Sequence, residues 1–279
     1  MSLVLITGDG PEHRYVANAI LAAHDARAIF LCDPAKRRSW KSVLRKSRRE
    51  FIDKALRQLY LRAILDQERR EASLRRVLGN KAEAFDREDL LVPVGAPKDG
   101  MLAKKLAEIG PDIIAVYGTG IIPDGALNLA RDIALNMHTG LSPWYRGAAC
   151  AFWPIVEGKP EMVGATVHEC TSKVDGGRIF FRERAHLYRG DDLHAVFGRA
   201  VAVGAQGYAD VISRVVNGDL EGEMQDLTVG KEYRGAMLGL QAELAARRSL
   251  RRLARSWPEP ATGLDSAAVP GGDRLAGFQ

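Results

Sequence analysis

The chain has 279 residues, 46% hydrophobic and 27% charged, the profile of an ordinary globular protein with one main domain of about 200 residues plus additions. No apolar run approaches the roughly 18 residues of a membrane-crossing helix, and Leu3-Val4-Leu5-Ile6 has no basic flank and is stopped by Gly8-Asp9-Gly10, unlike a signal peptide. The net charge of +5 is uneven: residues 34–81 hold sixteen Lys or Arg against five Asp or Glu, a local +11 that leaves −6 elsewhere.

Residues 1–33 read as strand, glycine turn, helix, strand. Leu3 to Ile6 is wholly apolar, as a strand buried on both faces requires, and Ala28 to Cys32 repeats the pattern. A helix through Val16, Ala19, Ile20 and Ala23 joins them, so the start predicts a parallel sheet with crossover helices. Residues 34–81 interrupt that alternation. Phe51/Ile52, Ala55/Leu56, Leu59/Tyr60 and Ala63/Ile64 draw one apolar stripe, and Leu74, Val77 and Leu78 continue as a second helix stopped by Gly79-Asn80. This predicts a helical hairpin laid on the sheet, its basic face either solvated or in contact with an anionic ligand.

The alternation then resumes. Leu91 to Val94 predicts a strand, Met101 to Ile109 a helix, and Ile113 to Tyr117 a strand ending in Gly118-Thr119-Gly120. Ile133 to His138, Val163 to His168 and Arg178 to Phe181 read as further strands, the last two joined by a loop ending in Asp175-Gly176-Gly177. Asp191-Asp192 caps a long helix to about Val216, closed by Asn217-Gly218. Past Arg255, Trp257-Pro258-Glu259-Pro260 and the Ala, Ser, Gly and Pro that follow predict a loosely ordered tail. Cys32, Cys150 and Cys170 are odd in number and far apart, which suits free thiols in a cytoplasmic protein, with neither a disulfide framework nor a metal site.

Gly8-Asp9-Gly10 opens a helix after the first strand and suggests an anion or nucleotide site, or simply a tight turn. The dinucleotide fingerprint wants a third glycine where His13 stands, and Asp33 is only a weak match for its ribose-binding carboxylate, so a nicotinamide cofactor is disfavoured. The stretch from Asn136 to Gly147 is more specific. On a strand, Asn136 and His138 point to one side, so an amide donor and an imidazole converge at a carboxyl end, where open α/β sheets place ligands. A buried Asn and His satisfied by the core would read the same way. The Asp175 carboxylate, in a glycine-flanked loop, adds a third member.

Asn136, His138, Leu141, Pro143, Tyr145, Arg146, Gly147, Asp175 and Gly177 stand in the order of the Asn-x-His strand, proline loop and Asp-x-Gly loop of the formyltransferases that use 10-formyltetrahydrofolate. The chain resembles that family over residues 1–33 and 85–217, most strongly over 113–182. The resemblance implies an α/β, Rossmann-like, mostly parallel sheet flanked by helices. It divides the chain into a catalytic domain, 1–217, with the basic helical insertion 34–81, and an extension and tail, 218–279. It further implies Asn136, His138 and Asp175 as catalytic residues, and folate contacts at Tyr117, Gly118, Gly120, Ile121, Ile122, Val174 and Gly176. The acceptor would meet Gly8, Gly10, Pro143, Tyr145 and Arg146. Pro143 falls where the family usually carries a cis proline.

The implied reaction moves a formyl group from 10-formyltetrahydrofolate to the amine of a small-molecule acceptor, an amino-sugar nucleotide or another amine, its anionic character left open, without a metal. Two departures bear on the acceptor. Pro11-Glu12 replaces the Ser-Asn that grips phosphate in the glycinamide ribonucleotide enzyme. About 60 residues follow 217, too few for the C-terminal barrel of the methionyl-tRNA enzyme, which argues against tRNA. Alternatives are phosphoribosylglycinamide formyl transfer in purine synthesis, hydrolysis of formylfolate, and a non-catalytic RNA-binding or regulatory protein. No membrane partner is implied; a homodimer is left open.

Overall fold

The computed structural model describes residues 1–32 and 48–260. Asp33, residues 34–47 of the basic insertion and residues 261–279 of the tail lie outside the described residues. Seven strands form one sheet: β1 (Leu3–Thr7), β2 (Ala28–Cys32), β3 (Leu91–Gly95), β4 (Ile113–Tyr117), β5 (Ile133–His138), β7 (Gly164–Glu169) and β8 (Ile179–Arg184), in the order β3-β2-β1-β4-β5-β7-β8. The first five are parallel, β7 runs antiparallel to β5, and β8 runs antiparallel to β7. A two-stranded parallel sheet pairs β6 (Tyr145–Gly147) with β9 (Lys231–Tyr233).

Alternation along β1 shows why its run is apolar throughout. Leu3 and Leu5 face one cluster with Tyr15 and Val16 of α1 (Pro11–Leu21), Leu74 and Leu78 of α3 (Asp66–Leu78), and Tyr208 of α7 (Leu193–Asn217). Val4 and Ile6 face the other, with Leu102 and Leu106 of α4 (Met101–Ile109) and Ala126 of α5 (Asp124–Leu127). A sheet covered on both sides needs apolar residues at every position. Asp192 caps α7 by accepting from the His194 and Ala195 amides, and Gly218 closes that helix at φ +73°. Tyr208, fully buried, shares its hydroxyl between the carbonyls of Val116 and Leu135 (3.1 and 2.8 Å), tying β4 to β5 just below the carboxyl ends of both strands.

The hairpin departs from expectation. Its second helix, α3, buries Leu74, Val77 and Leu78 as the pattern demands. Its first, α2 (Arg48–Ala63), turns the apolar stripe outward: Phe51, Ile52, Leu56 and Leu59 are exposed. Polar groups make the inward contacts, chiefly with α8 (Leu240–Leu253): Asp53 accepts from the Leu240 amide at 3.2 Å, and Arg57 pairs with buried Glu243 at 3.0 Å.

The chain beyond 217 also returns to the body. Trp257, expected in a loose tail, is buried with Ile155, Val163, Leu187, Val196 and Leu250, and the Pro258 carbonyl accepts from the Arg189 amide at 2.8 Å. Cys150 and Cys170 carry free thiols.

Candidate active site

Strand β5 ends in Asn136 and His138, and β7 pairs with it so that Asn136 faces His168 and His138 faces Thr166. Asp175, on the loop between β7 and β8, closes the group. Its Oδ2 lies 3.4 Å from His138 Nδ1, and its Oδ1 lies 3.4 Å from His168 Nε2. The Gly147 amide donates to Oδ2 at 2.7 Å. Asn136 Nδ2 reaches His168 Nε2 at 3.2 Å. The result is a chain of contacts, His138–Asp175–His168–Asn136, in which one carboxylate serves two imidazoles.

Each imidazole donates one N–H to a backbone carbonyl. A carbonyl only accepts, so His138 donates Nε2–H to the Tyr145 carbonyl (3.0 Å), leaving Nδ1 to exchange a proton beside Asp175. His168 donates Nδ1–H to the Glu169 carbonyl (2.8 Å), and its Nε2 stands 3.2 Å from Asn136 Nδ2 and 3.4 Å from Asp175 Oδ1. The first of these contacts orients the Asn136 amide. Burial pushes the Asp175 carboxyl up, but the His138 charge, the His168 hydrogen bond and charge, and the Gly147 amide outweigh it and hold the group well below the usual carboxylate range.

Asp175 sits at φ +46°, a left-handed conformation that costs a non-glycine residue on the order of 1–3 kcal/mol. Gln225 holds it there, its carboxamide N–H₂ donating to the carbonyls of Asp175 (2.9 Å) and Gly177. The loop from Gly140 to Gly147 is braced as closely. Thr166 donates to the Gly140 carbonyl (2.7 Å) and accepts from the Ser142 amide (3.1 Å). The Ser142–Pro143 bond is cis. Buried Arg182 donates to the Ser142 carbonyl (3.0 Å), pairs with Glu223 (3.1 Å) and lies 4.8 Å over the Trp144 ring. Gly147, at φ +95°, lies so close to the Tyr233 carbonyl that a methyl there would overlap it.

Tyr145 and Arg146 do not offer their side chains to a ligand. The Tyr145 hydroxyl donates to Glu157 (2.8 Å) and its ring stacks on Tyr233 at 5.6 Å; only its carbonyl reaches His138. Arg146 bonds the carbonyls of Pro143 and Leu227. Both brace the loop. The glycine loop behaves similarly, because the Gly8 amide donates to His13 Nδ1 at 3.2 Å and is not free for an anion. The His13 ring fills the hollow over Gly8 and Gly118. Burial, reinforced by Arg70 and opposed by Glu12 and Asp9, lowers the pKa of that imidazole. Glu12 pairs with Arg70 (2.5 Å) and sets a carboxylate beside Gly10, where a phosphate would be repelled.

Two hollows meet at Glu12 and His13. One, about 310 Å³, is lined by Tyr117, Gly118, Thr119, Asn136, His138 and Asp175 among others; its neighbour, about 790 Å³, lies between residues 9–14 and Gln67, Arg70, Glu71 and Arg75 of α3. Beside the smaller one, Ile121 and Val174 are exposed, while Ile122 is buried in the core below β4. Gly120, Val174 and Gly176 lie on the two flanking loops. His168, Arg182 and Gln225 were not singled out from the sequence. His168 alone left a signal there, being at strand spacing from Thr166 and just ahead of the Asp175 loop.

Residues 95–212 match the family model described as formyl transferase. That stretch, 118 of the 279 residues, resembles the formyl transferases. Curated relatives include the methionyl-tRNA formyltransferases of Citrifermentans bemidjiense, 30% identical over 139 residues, and Lacticaseibacillus casei, 31% over 140. Each alignment covers 48% of this chain and 43% of the relative, so the match spans less than half of their length. Similar folds occur in a 4-N formyltransferase from Francisella tularensis (14% identity, TM-score 0.55, covering 89% of this chain and 87% of that one). An N-formyltransferase from Helicobacter canadensis (16%, 0.54, 94% and 85%) is also similar. So is a glycinamide ribonucleotide transformylase from Symbiobacterium toebii (17%, 0.51, 81% and 93%). The matched stretch holds the Asn136, His138 and Asp175 side chains in one chain of contacts through His168.

Proposed function

We propose that the chain transfers the formyl group of 10-formyltetrahydrofolate to the amine of a small polar acceptor. The observation that carries this reading is Asp175 set between two imidazoles, with the Asn136 amide fixed by the second. A neutral amine attacks the formyl carbon, and the free N–H of Asn136 donates to the oxyanion that develops, a contribution of about 3 kcal/mol for such donors. The amine nitrogen then loses a proton through His138 and Asp175, and the folate nitrogen gains one as its bond to carbon breaks. Positioned proton transfer contributes on the order of 10²–10⁴ in rate. The loops 118–122 and 174–176, with exposed Ile121 and Val174, offer apolar and backbone surface to a flat ring.

The acceptor enters, in this reading, through the larger hollow beside α3. Its lining mixes Asp9, Glu12, Glu71 and Glu83 with Arg14, Arg70 and Arg75, which suits a hydroxyl-rich acceptor better than a bare phosphate. The Helicobacter canadensis enzyme is described in complex with folinic acid and dTDP-3-aminofucose, which supports a folate donor and an amino-sugar acceptor here. The test is to mix the chain with 10-formyltetrahydrofolate and amino-sugar nucleotides, simple amino sugars, glycinamide ribonucleotide or methionyl-tRNA, and follow tetrahydrofolate release. Release that depends on an amino sugar supports the proposal. Equal release without any amine makes the chain a hydrolase, and release only with methionyl-tRNA overturns the small acceptor.

A further inference from the structure

Helix α2 is inverted. A surface helix ordinarily buries its apolar stripe and shows its charges to water. Here Asp53, Arg57 and Tyr60 face the body, holding the Leu240 amide, Glu243 and Arg247. Phe51, Ile52, Leu56 and Leu59 face out, between 46% and 61% exposed. Ile52, Leu56 and Leu59 stand at i, i+4 and i+7, so they form one continuous row. Leu65, just past the helix, is 60% exposed at φ +53°. That conformation presents another large apolar group where a glycine or asparagine is usual. The inward ion pair fixes this orientation: turning the row inward would place Arg57 in water and leave Glu243 with one cation fewer.

The surroundings of the row are cationic. Arg62 and Arg69 are exposed and pair with no acid among the described residues. The sequence leading into the helix carries six Lys or Arg and no acid over residues 34–47, which raises the local potential whatever its conformation. A second copy of the chain would bring these like charges together in a desolvated contact. A nucleic acid would use the cations but not a row of aliphatic side chains. A surface that is negative outside and apolar beneath satisfies both.

We propose that α2 is a docking face for an anionic lipid bilayer, with Phe51, Ile52, Leu56 and Leu59 entering the headgroup–acyl boundary and the flanking cations meeting lipid phosphates. No helix among the described residues is long and apolar enough to cross a membrane, so the association is peripheral.

The test is flotation of the full chain with vesicles of phosphatidylcholine alone, or of phosphatidylcholine mixed with phosphatidylglycerol. The chain should float with the anionic vesicles and lose binding as salt rises. Leu56→Asp with Leu59→Asp should lower that binding roughly tenfold or more without lowering the melting temperature, since both side chains are already in water. Arg62→Glu should lower it less, and through the salt-dependent part. Three results overturn the proposal: no preference for anionic vesicles, binding unchanged by the paired aspartates, or a dimer in solution that the aspartates dissolve while vesicles go unbound.

Discussion

Asp175 is the residue on which the site turns, because among the described residues it alone contacts both imidazoles. Asp175→Asn keeps the shape and removes the charge. Turnover in a tetrahydrofolate-release assay should fall by about 10²–10⁴ with the circular dichroism spectrum unchanged. The pH dependence has a definite sign. The folded carboxyl titrates below its unfolded value of about 4, so its stabilising contribution is complete above that value and is lost as pH falls through the folded one. Urea midpoints should therefore drop between about pH 5 and about pH 3 in the wild type, and drop less in Asp175→Asn. A second change separates chemistry from folding. His168→Ala releases the Asn136 amide and takes one imidazole from Asp175, so kcat should fall at least about tenfold while the Kd for folate stays close to wild type. An unchanged kcat would make His168 a packing residue.

At the scale of elements, the loops around Asp175 are held by a strap that follows α7. Gln225 holds the Asp175 loop, Glu223 holds Arg182, Leu227 accepts from Arg146, and β9 pairs with β6. Gln225→Ala should lower kcat/KM about tenfold to a hundredfold by letting the carboxylate drift, because a displacement of about 1 Å costs that much at a reacting centre. Gln225→Glu should be no better, since a carboxylate cannot donate to two carbonyls. The strap also shows where sequence reading stops. Strands β1, β2, β4 and β5 were legible because apolar runs bounded by Gly or Pro have few other uses, and Asn136, His138 and Asp175 were legible because their order resembles a known motif. Strands β6 and β9 are three residues each and exist only because they pair with one another, so no local period announces them. Helix α2 was misread for a related reason: its stripe is real, but Glu243, 186 residues from Arg57, decides which side faces in.

For the whole molecule, the question is where the folding unit ends. Composition suggests that the chain from about residue 258 contributes little, and the family resemblance implies a catalytic unit that closes near residue 217. The described chain runs on through β9, α8 and Trp257, and each returns to the body: β9 to Tyr145–Gly147, α8 to α6 (Trp153–Glu157) and α2, and Trp257 to a core shared with α6 and α7. Two chains differing by four residues separate these views. One ends at Pro260 and keeps Trp257, the Arg189–Pro258 bond and the Arg189–Glu259 pair. The other ends at Ser256 and lacks all three. The exposed pair contributes little, at most about 1 kcal/mol. Removing a buried tryptophan costs about 3–5 kcal/mol, and in a protein of this size each kcal/mol moves the melting temperature by about 2–4 °C. The chain ending at Ser256 should therefore melt roughly 10 °C below the one ending at Pro260. Because Asn136, His138, His168 and Asp175 all lie outside that core, turnover per folded molecule at low temperature should be the same in both. Equal melting temperatures would show that the Trp257 cluster is dispensable and that the folding unit closes before it.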